Sequence, residues 1–170
     1  MCRWFGPGSK NVTDVAVSQK FKPSDKKVLI IDDEESILQL LKSAFEVEGF
    51  QVKIGRDGRN IQKVSLEFQP DLIVSDLMMP GVGGYDVLRS LQGDPLTAKI
   101  PVIMMTGSQM NDSTKSVMQQ EPNLVAYLEK PFRPETIIKK AHKVLNTMSA
   151  ADVRANQSKD PPVDFNDVFR

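Results

Sequence analysis

Hydrophobic residues along this chain fall into five short runs, spaced so that a helical pattern fits after each. Val28-Leu29-Ile30-Ile31 and Leu72-Ile73-Val74 are continuous and rich in β-branched residues, the pattern of strands buried on both faces. Residues 100–105 and 124–128 repeat that signal, whereas residues 50–54 alternate apolar with polar, as a half-buried strand does. Residues 36–48 carry Ile37, Leu40, Leu41, Ala44, Phe45 and Val47 at helical spacing and stop at Gly49. Shorter periodicities predict helices over 58–68, closed by Pro70, and over 85–92, broken by Gly93-Asp94-Pro95. Residues 111–120 are polar and run into Glu121-Pro122, so they predict only a poor fourth helix. Pro134 opens the last helix, which runs to about Thr147 and has Ile137, Ile138, Ala141, Val144 and Leu145 for its inner face. Its His142 is expected to be solvated surface rather than a phosphorelay histidine.

Strands and helices in strict alternation at short spacing predict an α/β domain, a five-stranded parallel sheet covered on both faces, over residues 27–147. Residues 1–26 have no sustained period and are expected to be a flexible extension or a short helix near 12–19. Residues 148–170 form a polar tail with Pro161-Pro162, followed by Val163, Phe165, Val168 and Phe169. That tail is expected to be disordered, or to dock its apolar residues on a groove.

Composition narrows the class without naming it. Hydrophobic residues make up 40% and charged residues 26% of 170, which is ordinary globular usage. The formal net charge is zero, so no basic field points to nucleic acid or a membrane surface. Cys2 is the single cysteine and cannot form an internal disulfide, which suits a reducing compartment. No apolar run approaches the roughly 20 residues of a membrane span, and the first residues lack a secretory apolar core. A cytoplasmic protein with no membrane partner is therefore expected.

The chemistry lies at the ends of the strands. The first strand ends in Asp32-Asp33, the third in Asp76, the fourth in Thr106, and the fifth runs into Lys130. Parallel strands present these ends on one edge, where open α/β sheets bind their ligands. Three carboxylates together raise one another's pKa, and a divalent cation relieves the conflict. Hard oxygen ligands in a partly hydrated site point to Mg²⁺, with Asp32 and Asp33 as ligands. Mg²⁺ and the Lys130 ammonium suit a transferring phosphoryl group, Thr106 offers it a hydroxyl, and Asp76 heads the central strand as nucleophile. Taken singly, each residue has a plainer role: helix cap, turn residue, loop hydroxyl or surface lysine. Their joint occurrence at four strand ends is the argument.

The runs Val28-Leu29-Ile30-Ile31-Asp32-Asp33-Glu34, Asp76-Leu77-Met78-Met79-Pro80-Gly81 with Gly84, Met105-Thr106-Gly107 and Tyr127-Leu128-Glu129-Lys130-Pro131-Phe132 together resemble the receiver domains of two-component response regulators. The resemblance covers residues 27 to about 147. It implies the doubly wound, flavodoxin-like (βα)5 fold with strand order 2-1-3-4-5, which general accounts of this fold illustrate with a member of the same family. It also implies that Asp76 is the phosphoacceptor, that Asp32, Asp33 and Asp76 bind Mg²⁺ with the Met78 backbone carbonyl, and that Thr106 and Lys130 contact the phosphoryl group. A cis Lys130-Pro131 bond is expected. Thr106 and Tyr127 are expected to switch together and alter the face formed by the fourth helix, fifth strand and last helix.

By the same resemblance the donor is a sensor histidine kinase or a phosphotransfer protein, and a downstream protein reads the altered face. The roughly 23 residues after Thr147 are too few for a DNA-binding module, so direct DNA binding is not expected of this sequence. A homodimer is compatible with it. A receiver cut from a larger regulator or hybrid kinase would read identically. An aspartyl-phosphate phosphatase would share Asp76 and Mg²⁺ but needs an acid/base carboxylate just after the nucleophile, where Leu77, Met78 and Met79 stand. The domain is therefore expected to phosphorylate and slowly dephosphorylate itself, not to act as an enzyme on other substrates. Two features depart from the pattern: Gly83 stands where relatives often carry Asp, which loosens the loop, and the fourth helix is polar and interrupted near Glu121-Pro122, so an unusual output face is expected. Met78 and Ser108 lie where the family places side chains that tune phosphate loss. A persistent phosphoform follows from Met78, which cannot orient a water.

Overall fold

The computed structural model describes residues 20–107 and 116–152. Five parallel strands, β1 (Lys27–Ile31), β2 (Gln51–Gly55), β3 (Leu72–Asp76), β4 (Val102–Thr106) and β5 (Leu124–Glu129), form one sheet in the order β2-β1-β3-β4-β5. Helices α1 (Glu35–Val47), α2 (Ile61–Phe68), α3 (Gly84–Gln92) and α4 (Pro134–Leu145) cover it. A helical turn at 116–118 precedes β5. The rest of the fourth predicted helix, with Ser108, lies outside the described residues, as do residues 1–19 and 153–170.

Strand alternation sorts the core into two layers. Val28, Ile30, Leu72, Val74, Ile103 and Met105 pack against α1 and α4. Leu29, Ile31, Ile73, Val102 and Met104 pack against α2 and α3. All five residues of β3 and of β4 are buried, as continuous apolar runs require, while edge strand β2 is half-buried and alternates. Gly49, at φ +95°, turns the chain out of α1.

Two expectations change on contact with the structure. On α1, Leu38, Leu41 and Phe45 are buried, but Leu40 is 50% and Val47 80% exposed: the apolar stripe is wider than the face the sheet covers. His142 is buried, not solvated; its Nδ1 lies 2.7 Å from Thr147 Oγ1 and its Nε2 3.3 Å from Glu48 Oε2. Its position on α4 falls among the inward residues Ile138, Ala141 and Leu145, and two polar partners make burial tolerable. The contacts also reach past both ends of 27–147. The Phe21 N–H donates to Asn146 O at 2.8 Å, Phe21 bridges Thr147, and the Ala150 N–H donates to Glu48 Oε2 at 2.8 Å.

Candidate functional site: the C-terminal edge of the sheet

The site begins with backbone. Asp32 follows β1, its N–H tied to Gly55 O at 3.2 Å, and Asp76 ends β3, with the next residue's N–H bonded to Met105 O at 2.7 Å. These bonds fix where each carboxylate leaves the sheet. Thr106 closes β4, pairs with Glu129 on β5, and its carbonyl accepts the Lys130 N–H at 2.7 Å. The ends of β1, β3, β4 and β5 thus share one edge.

Lys130 joins them. Its Nζ lies 2.7 Å from Asp32 Oδ2 and 3.0 Å from Asp76 Oδ1, linking residues 98 positions apart. The carboxylate side chains are 1% and 6% exposed, the lysine side chain 22%. Asp32 Oδ1 accepts the Glu34 N–H at 2.9 Å, and Asp76 Oδ2 the Met78 N–H at 3.1 Å. Asp76 Oδ1 is different: it is buried, and the nearby ammonium supplies charge without a well-aligned hydrogen bond. Burial holds the Asp32 carboxyl above its ordinary value, against the opposing pull of Lys130 and the Glu34 N–H. Burial alone would lower Lys130, but its hydrogen bond to Asp32 and the negative charge of Asp32 and Asp76 outweigh it and hold the ammonium above its ordinary value. Two carboxylates share one cation.

Glycine sets the loop after Asp76. Gly81 takes φ +87°. A Cβ on Gly84 would lie 2.8 Å from Asp76 O, Leu77 Cα and Met104 Sδ, so only glycine lets α3 start this close to the phosphoacceptor candidate. Leu77 O accepts the Gly84 N–H at 2.9 Å and Asp86 Oδ2 the Gly83 N–H at 3.2 Å, restraints that act on the loop expected to be loose at Gly83.

Of the residues singled out in the sequence, Asp32, Asp76, Thr106 and Lys130 converge, and Lys130-Pro131 is cis. Met78 is 65% exposed beside Asp76. Asp33 is exposed, and among the described residues no three acidic, histidine or cysteine side chains are grouped tightly enough to hold an ion by themselves. That arrangement fits a hydrated Mg²⁺, which takes one or two carboxylates and keeps its waters, better than a tight structural metal. The orphaned Asp76 Oδ1 supports the fit. Thr106 is buried; half-buried Tyr127 pairs with Met104 two residues before it, so both side chains stand on one face of the sheet. A contact absent from the sequence reading is the polar cluster in which Gln92 donates to Glu121 at 2.7 Å and to Asn123 at 3.2 Å, tying α3 to the approach to β5. The polarity of that approach was its only signal.

The model of the response regulator receiver domain matches residues 28–142. The chain belongs to that family. The phosphate regulon transcriptional regulatory protein PhoB of Pseudomonas aeruginosa is 32% identical over 130 residues, covering 76% of this chain and 56% of that protein. RpaA of Synechocystis, a DNA-binding dual master transcriptional regulator, is 36% identical over 120 residues, covering 70% and 48%. The chain therefore spans about half the length of the curated relatives it matches. The chemotaxis response regulator CheY4 of Vibrio cholerae superposes with a TM-score of 0.64 at 28% identity, covering 71% of this chain and 98% of that one. As a receiver domain of two-component signalling, the chain carries its converged acidic edge where the family's strands end. Among the described residues, no helix is long and apolar enough to cross a membrane.

Proposed function

We propose that this receiver is a phosphorylation switch in which Asp76 takes a phosphoryl group from the phosphohistidine of a sensor kinase or phosphotransfer protein. A carboxylate oxygen of Asp76 bonds to phosphorus as the P–N bond breaks, and the imidazole keeps that electron pair and takes a proton. The observation that carries the reading is the Lys130 ammonium held between Asp32 and Asp76, 2.7 and 3.0 Å away. It already neutralises one charge at the place where equatorial phosphoryl oxygens gather negative charge, and the Thr106 hydroxyl at the end of β4 supplies a donor beside it. Asp32, Asp33, Asp76 and the Met78 carbonyl would hold Mg²⁺, which when bound neutralises charge on the phosphoryl oxygens.

Phosphorylation gives the edge new negative charge. Thr106 follows it, and Tyr127, on the same face of the sheet, changes rotamer and alters the β5–α4 surface that a downstream protein reads. The exposed Met78 side chain cannot position a water, so the phosphoform persists.

The experiment is intact mass after acetyl phosphate and Mg²⁺. The parent should gain one phosphate and Asp76→Ala none; an unmodified parent overturns the reading. Continuous release of phosphate from an added phosphomonoester would instead mark a phosphatase. Loss of label within seconds would overturn the persistence attributed to Met78.

A further inference from the structure

α1 and α4 leave an apolar groove of about 600 Å³ between them. Leu40, Ala44 and Val47 form one wall and Pro134 and Ile138 the other. Leu40 and Val47 are the two residues whose helical spacing promised burial and which the domain leaves 50% and 80% exposed. Among the described residues, their hydrophobic area is left largely unused.

The chain itself is led to this groove. After α4 it turns back at Asn146, in the left-handed conformation at φ 50°, and Ser149 and Ala151 become part of the groove lining. The Ala150 N–H donates to Glu48 Oε2 at 2.8 Å, pinning the chain to the end of α1, and a helix starts at Ala150. Eighteen residues, 153–170, follow. Pro161 and Pro162 cannot extend that helix, so the sequence after them is a separate segment able to double back. That segment is Val163-Asp164-Phe165-Asn166-Asp167-Val168-Phe169, and it holds the tail's only aromatic residues. Phe165, Val168 and Phe169 stand at i, i+3 and i+4, the spacing of one helical face. Asp164 precedes them and Asp167 lies between them, and the groove rim carries Lys139 along with Glu135.

We infer that the α1–α4 groove is the docking site of this chain's own residues 163–169, with Phe165, Val168 and Phe169 on Leu40, Val47 and Ile138. Reach is ample: the eleven residues from Asp152 to Val163 extend up to about 36 Å, whereas thirteen-residue α1 is about 20 Å long. The tether makes docking intramolecular, at an effective concentration on the order of millimolar, which favours it over a second copy at ordinary protein concentrations. The inference does not depend on Asp76 accepting phosphate.

Paramagnetic broadening tests it on the full chain. Cys2→Ser removes the native thiol, Asp167→Cys takes a nitroxide, and the methyl signals of Leu40, Val47 and Ile138 are followed. They should lose most of their intensity while those of Val64 and Leu66 on α2 keep theirs. Val47→Asp in the groove, or Phe165→Ser with Phe169→Ser in the tail, should restore the intensity; Val47 is exposed enough for its substitution to leave the fold intact. Mixing spin-labelled chains with isotope-labelled chains that carry no nitroxide should produce no broadening. Equal broadening in the mixture would assign the groove to a second copy. Absent broadening, or broadening insensitive to both sets of substitutions, would also overturn the inference.

Discussion

The two edges of the sheet handle charge in opposite ways. At the N-terminal edge, Lys26 pairs with Asp71 at 2.9 Å, and the second Asp71 oxygen accepts the Lys27 N–H at 2.9 Å. One cation meets one carboxylate, each side chain is 20% and 31% exposed, and both carboxylate oxygens are satisfied. At the C-terminal edge one lysine serves two carboxylates, both nearly inaccessible, and one oxygen has no aligned donor. The first edge is a finished structural joint. The second carries excess buried negative charge that a cation or a covalently added group can rearrange, which is where functional sites depart from the rule that buried charge is paired.

The widest gap should appear when each lysine is removed. Lys130→Met strands two buried carboxylates and should cost roughly 3–5 kcal/mol in denaturant unfolding. Lys26→Met exposes Asp71 to water and should cost about 1 kcal/mol or less. Equal losses would erase the distinction. Next comes Gly84→Ala, which should cost roughly 1–3 kcal/mol of thermal stability, because its Cβ meets two backbone atoms of the Asp76–Leu77 peptide at 2.8 Å. A neutral result would show that the loop after Asp76 can retreat from β3.

A smaller effect, of opposite sign, is expected at Asp32. Asp32→Asn should raise stability on the order of 1 kcal/mol, since it removes a carboxylate that burial disfavours and leaves Lys130 its ion pair with Asp76. The same variant should lose most of the stabilisation that Mg²⁺ gives the parent, about 2.7 kcal/mol at a hundred times the dissociation constant. Calorimetry with and without Mg²⁺ reads both.

The smallest signal is in titration. With its folded pKa above the ordinary 3.8, Asp32 gives most stability when protonated, below 3.8, and that contribution fades as pH rises through the folded value. Lys130, raised above 10.5, keeps its contribution below 10.5 and loses it as pH climbs through its folded pKa. Carboxyl NMR should place Asp32 above 3.8, and higher still in Lys130→Met. An Asp32 that titrates below 3.8 would mean that pairing outweighs burial, as it does in an ordinary salt bridge.

Much of this was legible in the sequence because parallel strands buried on both faces must be continuously apolar, and each ends abruptly at a polar residue. Thus Ile31–Asp32, Val74–Ser75-Asp76 and Met105–Thr106 mark both the strand and its edge. Which strand lies beside which is not written in those runs; the order came from family resemblance. What escaped was whatever depends on how far a neighbour reaches. Leu40 and Val47 have the same periodicity as Leu41 and Phe45, and only the placement of α4 decides which are covered. His142 looked like surface because its partners, Glu48 and Thr147, are satisfied through tertiary contact. The sharing of Lys130 by Asp32 and Asp76 escaped for the same reason: the strand ends told which residues meet, not that the lysine would stand between them.

The bridge from Phe21 to Thr147 has a consequence for wiring. It brings the incoming and outgoing chain together at the bottom of the sheet, one whole strand below the carboxylates. Five residues of β3 put the two levels about 17 Å apart. Whatever is attached immediately before Phe21 or after Thr147 leaves the domain from one place, at the edge of the sheet opposite the Asp76 carboxylate. A change of charge at Asp76 would reach the residues beside that bridge through the packed strands and helices between the two edges.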